Sequence, residues 1–230
     1  AAAQASLAMA SRLIVLQELA PIGLPEQHRA KAEVIFQSTA SQPTLEKSVA
    51  HLRAVMVGHL REEKSPETLF AAARLLKTQE GIFIDHIGAG LDVALAKAAE
   101  VTAKACPHYR WLGAVPHEAT RRAAQRAHVL VHASKMEGGA HVLMEAACSG
   151  TPVLASRIDG NVGMLGADYA GYFDWGDAAA LTRLLRECRA SQSDPNGLLA
   201  QLQKQVTARA PLFAPERESA KLNALVQLLL

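Results

Sequence analysis

The sequence predicts an α/β fold in which a parallel sheet carries helices on both faces. Three observations carry this. Short apolar runs alternate with longer helix-like stretches from residue 53 onward, and that alternation implies βαβ crossovers and a sheet covered on both sides. Helix punctuation falls where the alternation needs it. In "SPETLFAAARLL", Ser65 stands as N-cap, Pro66 as the first helical residue and Glu67 in the first turn, while Gly150 stops "AHVLMEAACSG". The composition, 50% hydrophobic, 20% charged and 4% aromatic, supplies an ordinary core rich in Ala and Leu.

The elements follow in order. The Ala-rich start, "AAAQASLAMASR", has no initiator Met and no basic signal-peptide head, and it reads as helix. "RLIVLQ" (12–17) is a short β-like run, followed by the Pro- and Gly-punctuated "PIGLPEQHRAKAEVIFQS". "ASQPTLEKS" (40–48), polar and carrying Pro43, is the candidate linker. Then "RAVMVGHL" is a strand and "SPETLFAAARLL" a helix; "GIFIDHIG" is a strand and "DVALAKAAEVTAKA" a helix. "YRWLGAV" and "HEATRRAAQRA" form the next pair, "HVLVHAS" and "AHVLMEAACSG" the one after. "PVLAS" is a strand and "DAAALTRLLRECRAS" a helix. No repeat of fixed period interrupts this order.

Several function classes drop out. A net charge of +2 without a Lys/Arg cluster argues against a nucleic-acid surface. Cys106, Cys148 and Cys188 are far apart and fit no metal spacing, which points to reduced thiols in a cytoplasmic setting. No apolar run approaches the ~18 residues of a membrane span. "HIGAGLD" offers G-x-G after a strand, but Val93 stands where a dinucleotide fingerprint needs its third glycine, so hydride transfer is disfavoured. The histidines form no ligand pair on one helix, and no metal or cofactor is expected. His128 and His132 read as core or rim residues, and Arg121, Arg122 and Arg126 as a solvated helix face.

One junction stands apart, "SKMEGGAHVLMEAACSGTPVLAS" (134–156). Ligands of open α/β sheets bind beyond the carboxyl ends of the strands, and here a strand ends, "KMEGG" turns and a helix opens near Ala140. Gly138 and Gly139 let backbone approach a ligand, and the free N–H groups of the first helical turn favour an anion. Glu145 sits inside an apolar run, where an unpaired carboxylate costs several kcal/mol, roughly. Two readings account for it: it holds a vicinal diol of a ribose or hexose, or it bonds a neighbouring backbone group or Arg.

Glu137 and Glu145, separated by seven residues and followed by "SGTPVLAS", resemble the paired-glutamate signature of retaining glycosyltransferases of family 4. The family pattern runs S-x-x-E-G-x-G, a short spacer, E-A and then G-x-P-V; Ser134, Glu137, Gly138, Glu145, Ala146, Gly150, Pro152 and Val153 match it. "VGHLREEKSPETLFAAARLL" is similar to the family's diphosphate loop, and "WLGAVPHEATRRAAQRAHVLVHAS" to its base-binding strand and following helix. The likeness covers about residues 55 to 185. It implies a GT-B architecture of two facing Rossmann-like domains, with a UDP-sugar as donor and no metal.

Carried onto this chain, the resemblance makes Lys64 the cation that neutralises the donor diphosphate and places Glu137 against the donor hexose. It gives Glu145 the ribose hydroxyls, Gly113, Ala114 and Val115 the base, and Gly138, Gly139, Ala140 and His141 the sugar and phosphate. The family's arginine after the loop glycine is His59 here, so the second positive charge comes from His59 or Arg61. Ala140 replaces the second glycine of the family's loop.

"SRIDGNVGMLGADYAGYF" (156–173), with "GHLREEKSP" and "CPHYRWLGA", is similar to a narrower group, the selenosugar synthases, which join selenium from selenophosphate to the anomeric carbon of a UDP-sugar such as UDP-N-acetylglucosamine. Asp159, Gly160 and Asn161 are then the candidates for the acceptor or sugar side, in a glycine-permitted loop that also reads as a plain surface turn. The resemblance further implies that residues 1–46 are the end of an N-terminal acceptor domain, that 47–230 bind the donor, and that the final helix 214–230 crosses back. On that reading these residues bind UDP and transfer no sugar by themselves. A hydroxyl acceptor, or a non-catalytic nucleotide-sugar module, remain the alternatives.

Overall fold

The structure, a computed structural model, describes residues 2–230, with side chains from Gln4 onward. Helix α1 (Ala2–Met9) leads into β1 (Leu13–Val15), a 3-10 turn (Ala20–Gly23), the single-turn α2 (Glu26–Arg29) and β2 (Ala32–Val34). β1 and β2 pair in parallel as a small sheet of their own. Residues 35–51 then run without regular structure, which contains the expected linker.

The main unit follows as β3 (Leu52–Val57), α3 (Pro66–Leu75), β4 (Ile82–Ile87), α4 (Val93–Ala105) and β5 (Tyr109–Trp111). It continues with α5 (His117–Arg126), β6 (Val129–His132), α6 (His141–Cys148), β7 (Val153–Ser156), α7 (Asp159–Leu165) and β8 (Tyr172–Phe173). Three helices close the chain: α8 (Ala178–Ala190), α9 (Leu198–Arg209) and α10 (Pro215–Gln227). The six strands lie in the order β5-β4-β3-β6-β7-β8, and every pair is parallel. This is the Rossmann-like parallel sheet the sequence predicts, with helices on both faces.

The order places a switch point between β3 and β6, where the chain stops building the sheet one way and begins building it the other. These two strands are the centre of the core. Leu52, Ala54, Val55 and Met56 of β3 are buried, as are all four residues of β6 and of β7. Strands covered on both faces are apolar over most of their length, with His132 and Ser156 the buried polar ends of β6 and β7. At α4, Asp92 accepts hydrogen bonds from the N–H groups of Ala94 and Leu95 and satisfies two donors of the first turn.

Two local expectations are corrected. Ser65 precedes α3 as expected, but its backbone is left-handed (φ 43°) and its side chain makes no cap bond. An N-cap side chain reaches the first turn from extended backbone; here Ser65 Oγ instead accepts a 2.8 Å hydrogen bond from Trp175 Nε1. The expected glycine loop of residues 159–166 is a helix, α7, with Gly160, Asn161 and Gly163 buried. Its glycines serve close packing. A Cβ at Gly160 would overlap the Glu137 carbonyl, and one at Gly163 would overlap the Gln17 side chain.

Candidate active site

A cavity of about 480 Å³ opens at the switch point, beyond the carboxyl ends of the central strands. Val57, Gly58 and His59 after β3 form one wall, with Ile87 and Gly88 from β4. Ala114 and Val115 come from the loop after β5, and His117 and Thr120 from α5. Glu137, Gly139 and the start of α6, Ala140 to Val142, close the remaining side. Gly88 is where the β4 loop crosses β3 so closely that a Cβ would overlap the Gly58 carbonyl.

Lys64 and Glu137, distant in sequence, meet here. Lys64 Nζ lies 2.5 Å from Glu137 Oε1, and the two side chains are 16% and 13% exposed. The loop carrying Lys64 is stapled to the loop carrying Glu137. The Lys135 N–H donates to the Glu63 carbonyl at 2.8 Å, and Lys135 Nζ donates to Glu62 at 2.9 Å. Beneath the pair, His132 Nε2 lies 3.4 Å from Glu137 Oε1. Burial pushes the Glu137 carboxyl up, but hydrogen bonds and charge from His132, with Lys64 and Ser134, outweigh it and hold the pKa down at about 2. Glu137 is thus a carboxylate at every ordinary pH.

Glu145 of α6, with its side chain 11% exposed, is not on this cavity's wall; it lines a narrow neighbouring pocket with Thr39, Arg121 and Ser149. Three basic groups surround Oε1: His117 Nε2 at 3.2 Å, His141 Nδ1 at 3.6 Å and Arg121 Nε at 3.9 Å. None is aligned as a hydrogen bond, so Oε1 is buried with its acceptor capacity unused. The N-cap position of α6, Ala140, offers no side-chain oxygen; the Leu143 N–H donates to the Ala140 carbonyl at 3.0 Å, and the N–H groups of His141 and Val142 are left to solvent or a ligand.

The other expected residues divide. His59 lines the cavity and its Nδ1 accepts a 2.9 Å bond from the Ala89 N–H, which leaves Nε2 as the nitrogen free to donate. Arg61 is half exposed, 3.9 Å from Glu63, and is not on the cavity wall. Gly113, with φ 67°, turns the β5 loop and accepts from the Gly88 N–H at 2.8 Å, while Gly138 flanks the wall. Asp159 is exposed away from the cavity, Gly160 packs under the Glu137 backbone, and Asn161 is fully buried, donating from Nδ2 to Ser156 O at 2.8 Å. None of these three lines the cavity.

Three participants escape the sequence reading. Arg121 is 20% exposed and turned toward Glu145, where a solvated face was expected. His132 was expected in the core or rim and lies directly under Glu137; its spacing of two from Ser134 on a strand puts both on one side, a signal the sequence did contain. His117 begins α5 with no sequence mark of its role.

The profile of the family described as glycosyl transferases group 1 matches residues 39–204, and the chain belongs to that family. No curated protein sequence matches it. Among solved structures, HepE of Anabaena in complex with UDP and glucose superimposes with a TM-score of 0.80 at 15% identity, over 97% of this chain and 65% of that one. The sucrose-phosphate synthase of Thermosynechococcus elongatus gives 0.79 at 22% identity, over 99% and 60%. The pneumococcal O-GlcNAc transferase GtfA, in complex with UDP and GlcNAc, gives 0.77 at 19%, over 95% and 45%. At these identities the likeness is one of fold. The chain spans about two thirds or less of the length of each of these structures.

Proposed function

We propose that this chain is the donor-binding part of a glycosyltransferase that uses a UDP-sugar. One observation carries the reading: Glu145 Oε1 is buried without a hydrogen-bond partner, directly behind His117 and His141 on the wall of the cavity that Lys64 and the uncapped start of α6 also line. A buried carboxylate oxygen left unpaired is costly, and a ribose diol supplies the missing donors. The UDP of two structural neighbours supports the choice of nucleotide.

Breaking the anomeric bond develops negative charge on the diphosphate and positive charge on the sugar ring. Lys64 and the N–H groups of α6 stabilise the leaving diphosphate. Glu137, ionised at neutral pH, faces the positive side of the reaction. The scheme asks for no metal ion. Residues 1–46 belong on this reading to an acceptor-side unit and 47–230 to the donor side. Two observations support that division: β1 and β2 form a separate sheet, and α10 returns to it through Lys221 Nζ, which donates to the Val34 carbonyl at 2.8 Å.

The finer reading is a retaining enzyme joining selenophosphate to UDP-N-acetylglucosamine, supported by the resemblance of "GHLREEKSP", "CPHYRWLGA" and 156–173. An ordinary hydroxyl acceptor is the second reading, favoured by the burial of Asn161 and Gly160, which keeps that segment's distinctive residues off the cavity wall. Incubating the full-length protein with UDP-sugars, with and without selenophosphate, and weighing the products decides between them. A selenium-containing sugar mass is expected; transfer to hydroxyl acceptors alone would replace it with the second reading, and no turnover with any acceptor would leave a binding module.

A further inference from the structure

A second concavity, of about 470 Å³, lies between α5 and the face of the sheet that α5 leaves open at β4 and β5. It shares no residue with the first cavity. Arg53 of β3, Arg110 of β5, and Arg122 and Arg126 of α5 converge on it, against the carboxylates of Asp85 and Glu46. Asp85 is saturated. Its Oδ2 is 2.7 Å from Arg53 Nη1 and its Oδ1 is 2.7 Å from Arg110 Nη2, so it neutralises part of the cluster and holds two guanidiniums in place.

The other two are uncommitted. Arg122 meets Glu118 only at 3.9 Å on the exposed surface, and Arg126 makes no hydrogen bond or ion pair among the described residues. They stand four residues apart and so share one side of α5, with Ala119 and Ala123 beside them leaving the room that larger side chains would fill. Four guanidiniums gathered on one concave wall repel one another. A doubly charged acceptor relieves this, and two oxygens of a phosphate match the planar guanidinium fork.

We propose that this groove binds the phosphate group of a small phosphorylated molecule, at a site separate from the candidate active site. The volume exceeds a lone phosphate and falls in the range of small-molecule sites, roughly 300–1,000 Å³, so the ligand carries an organic part. The inference does not depend on the proposed transferase activity, because it uses none of that site's residues.

Titration calorimetry with inorganic pyrophosphate tests it, using the protein, the Lys64→Ala variant and the Lys64→Ala/Arg122→Gln/Arg126→Gln variant. A binding event indifferent to Lys64→Ala is expected, weakened about tenfold for each guanidinium removed. Both substituted arginines are exposed, so the fold is retained. No pyrophosphate binding in the Lys64→Ala variant, or equal affinity when the two arginines are also replaced, would overturn the site. Flotation with phosphatidic acid in phosphatidylcholine vesicles separates the sources. Arginine-dependent flotation assigns the phosphate to a lipid headgroup; its absence, with pyrophosphate binding intact, assigns a soluble ligand.

Discussion

At Lys64 and Glu137 the site is an ion pair that a ligand must enter. Lys64→Ala should weaken UDP far more than uridine, because the lost contact is to phosphate charge; equal losses in calorimetry would make Lys64 structural. Glu137 adds a pH signature. Its carboxyl is held at about 2, below the ordinary 4.5, so it stabilises the folded state above pH 4.5 and that contribution is lost as pH falls toward 2. The wild type should therefore exceed Glu137→Gln in stability at pH 7, with the gap closing between about pH 4.5 and 2. Urea melts across that range read it, and a gap unchanged at pH 3 would deny the shift. Glu145→Gln replaces an acceptor oxygen by a donor, and a charged hydrogen bond is worth ~1.5–3 kcal/mol, so UDP affinity should fall roughly ten- to a hundredfold. A ligand lacking the ribose hydroxyls should cost the wild type a similar amount and the variant much less. Simple addition of the two losses would mean that Glu145 does not touch the ribose.

Among the elements, α7 is the one whose nature changes the reading of the sequence. "DGNVGMLG" has the composition of a turn, yet it forms a helix pressed against the Glu137 loop, and only glycine fits at 160. Gly160→Ala should displace the Glu137 backbone and cost about 1–3 kcal/mol, the usual range for overpacking. A lower urea midpoint at an unchanged m-value, together with weaker UDP binding, is the expected result. Unaltered stability would show that α7 can move away. Similar logic explains α9, which went unforeseen: it buries little beyond Leu202 and Val206, too thin a stripe to mark a helix in advance. β8, with two residues, lies below any periodicity.

For the molecule as a whole, a ligand that binds the folded state alone must raise its stability. UDP at a hundred times its dissociation constant should add about 2.7 kcal/mol and raise the melting temperature by roughly 5–10 °C for a chain of this size; Lys64→Ala should largely abolish the rise at the same UDP concentration. What the sequence determined by itself was the α/β class, ten of the twelve strands and helices from β3 to α8 (only α7 and β8 escaped), and a junction at Glu137–Glu145 bearing the residues of a family signature. Apolar strands covered on both faces and capped helices write their pattern within a few residues of chain, and such local patterns are readable. Contacts across the sheet are not. The pairing of Lys64 with Glu137, His117 and Arg121 beside Glu145 and the arginines around Asp85 join residues that are local in space and remote in sequence. Strand order brought them together, and strand order is set by the packing of the whole core.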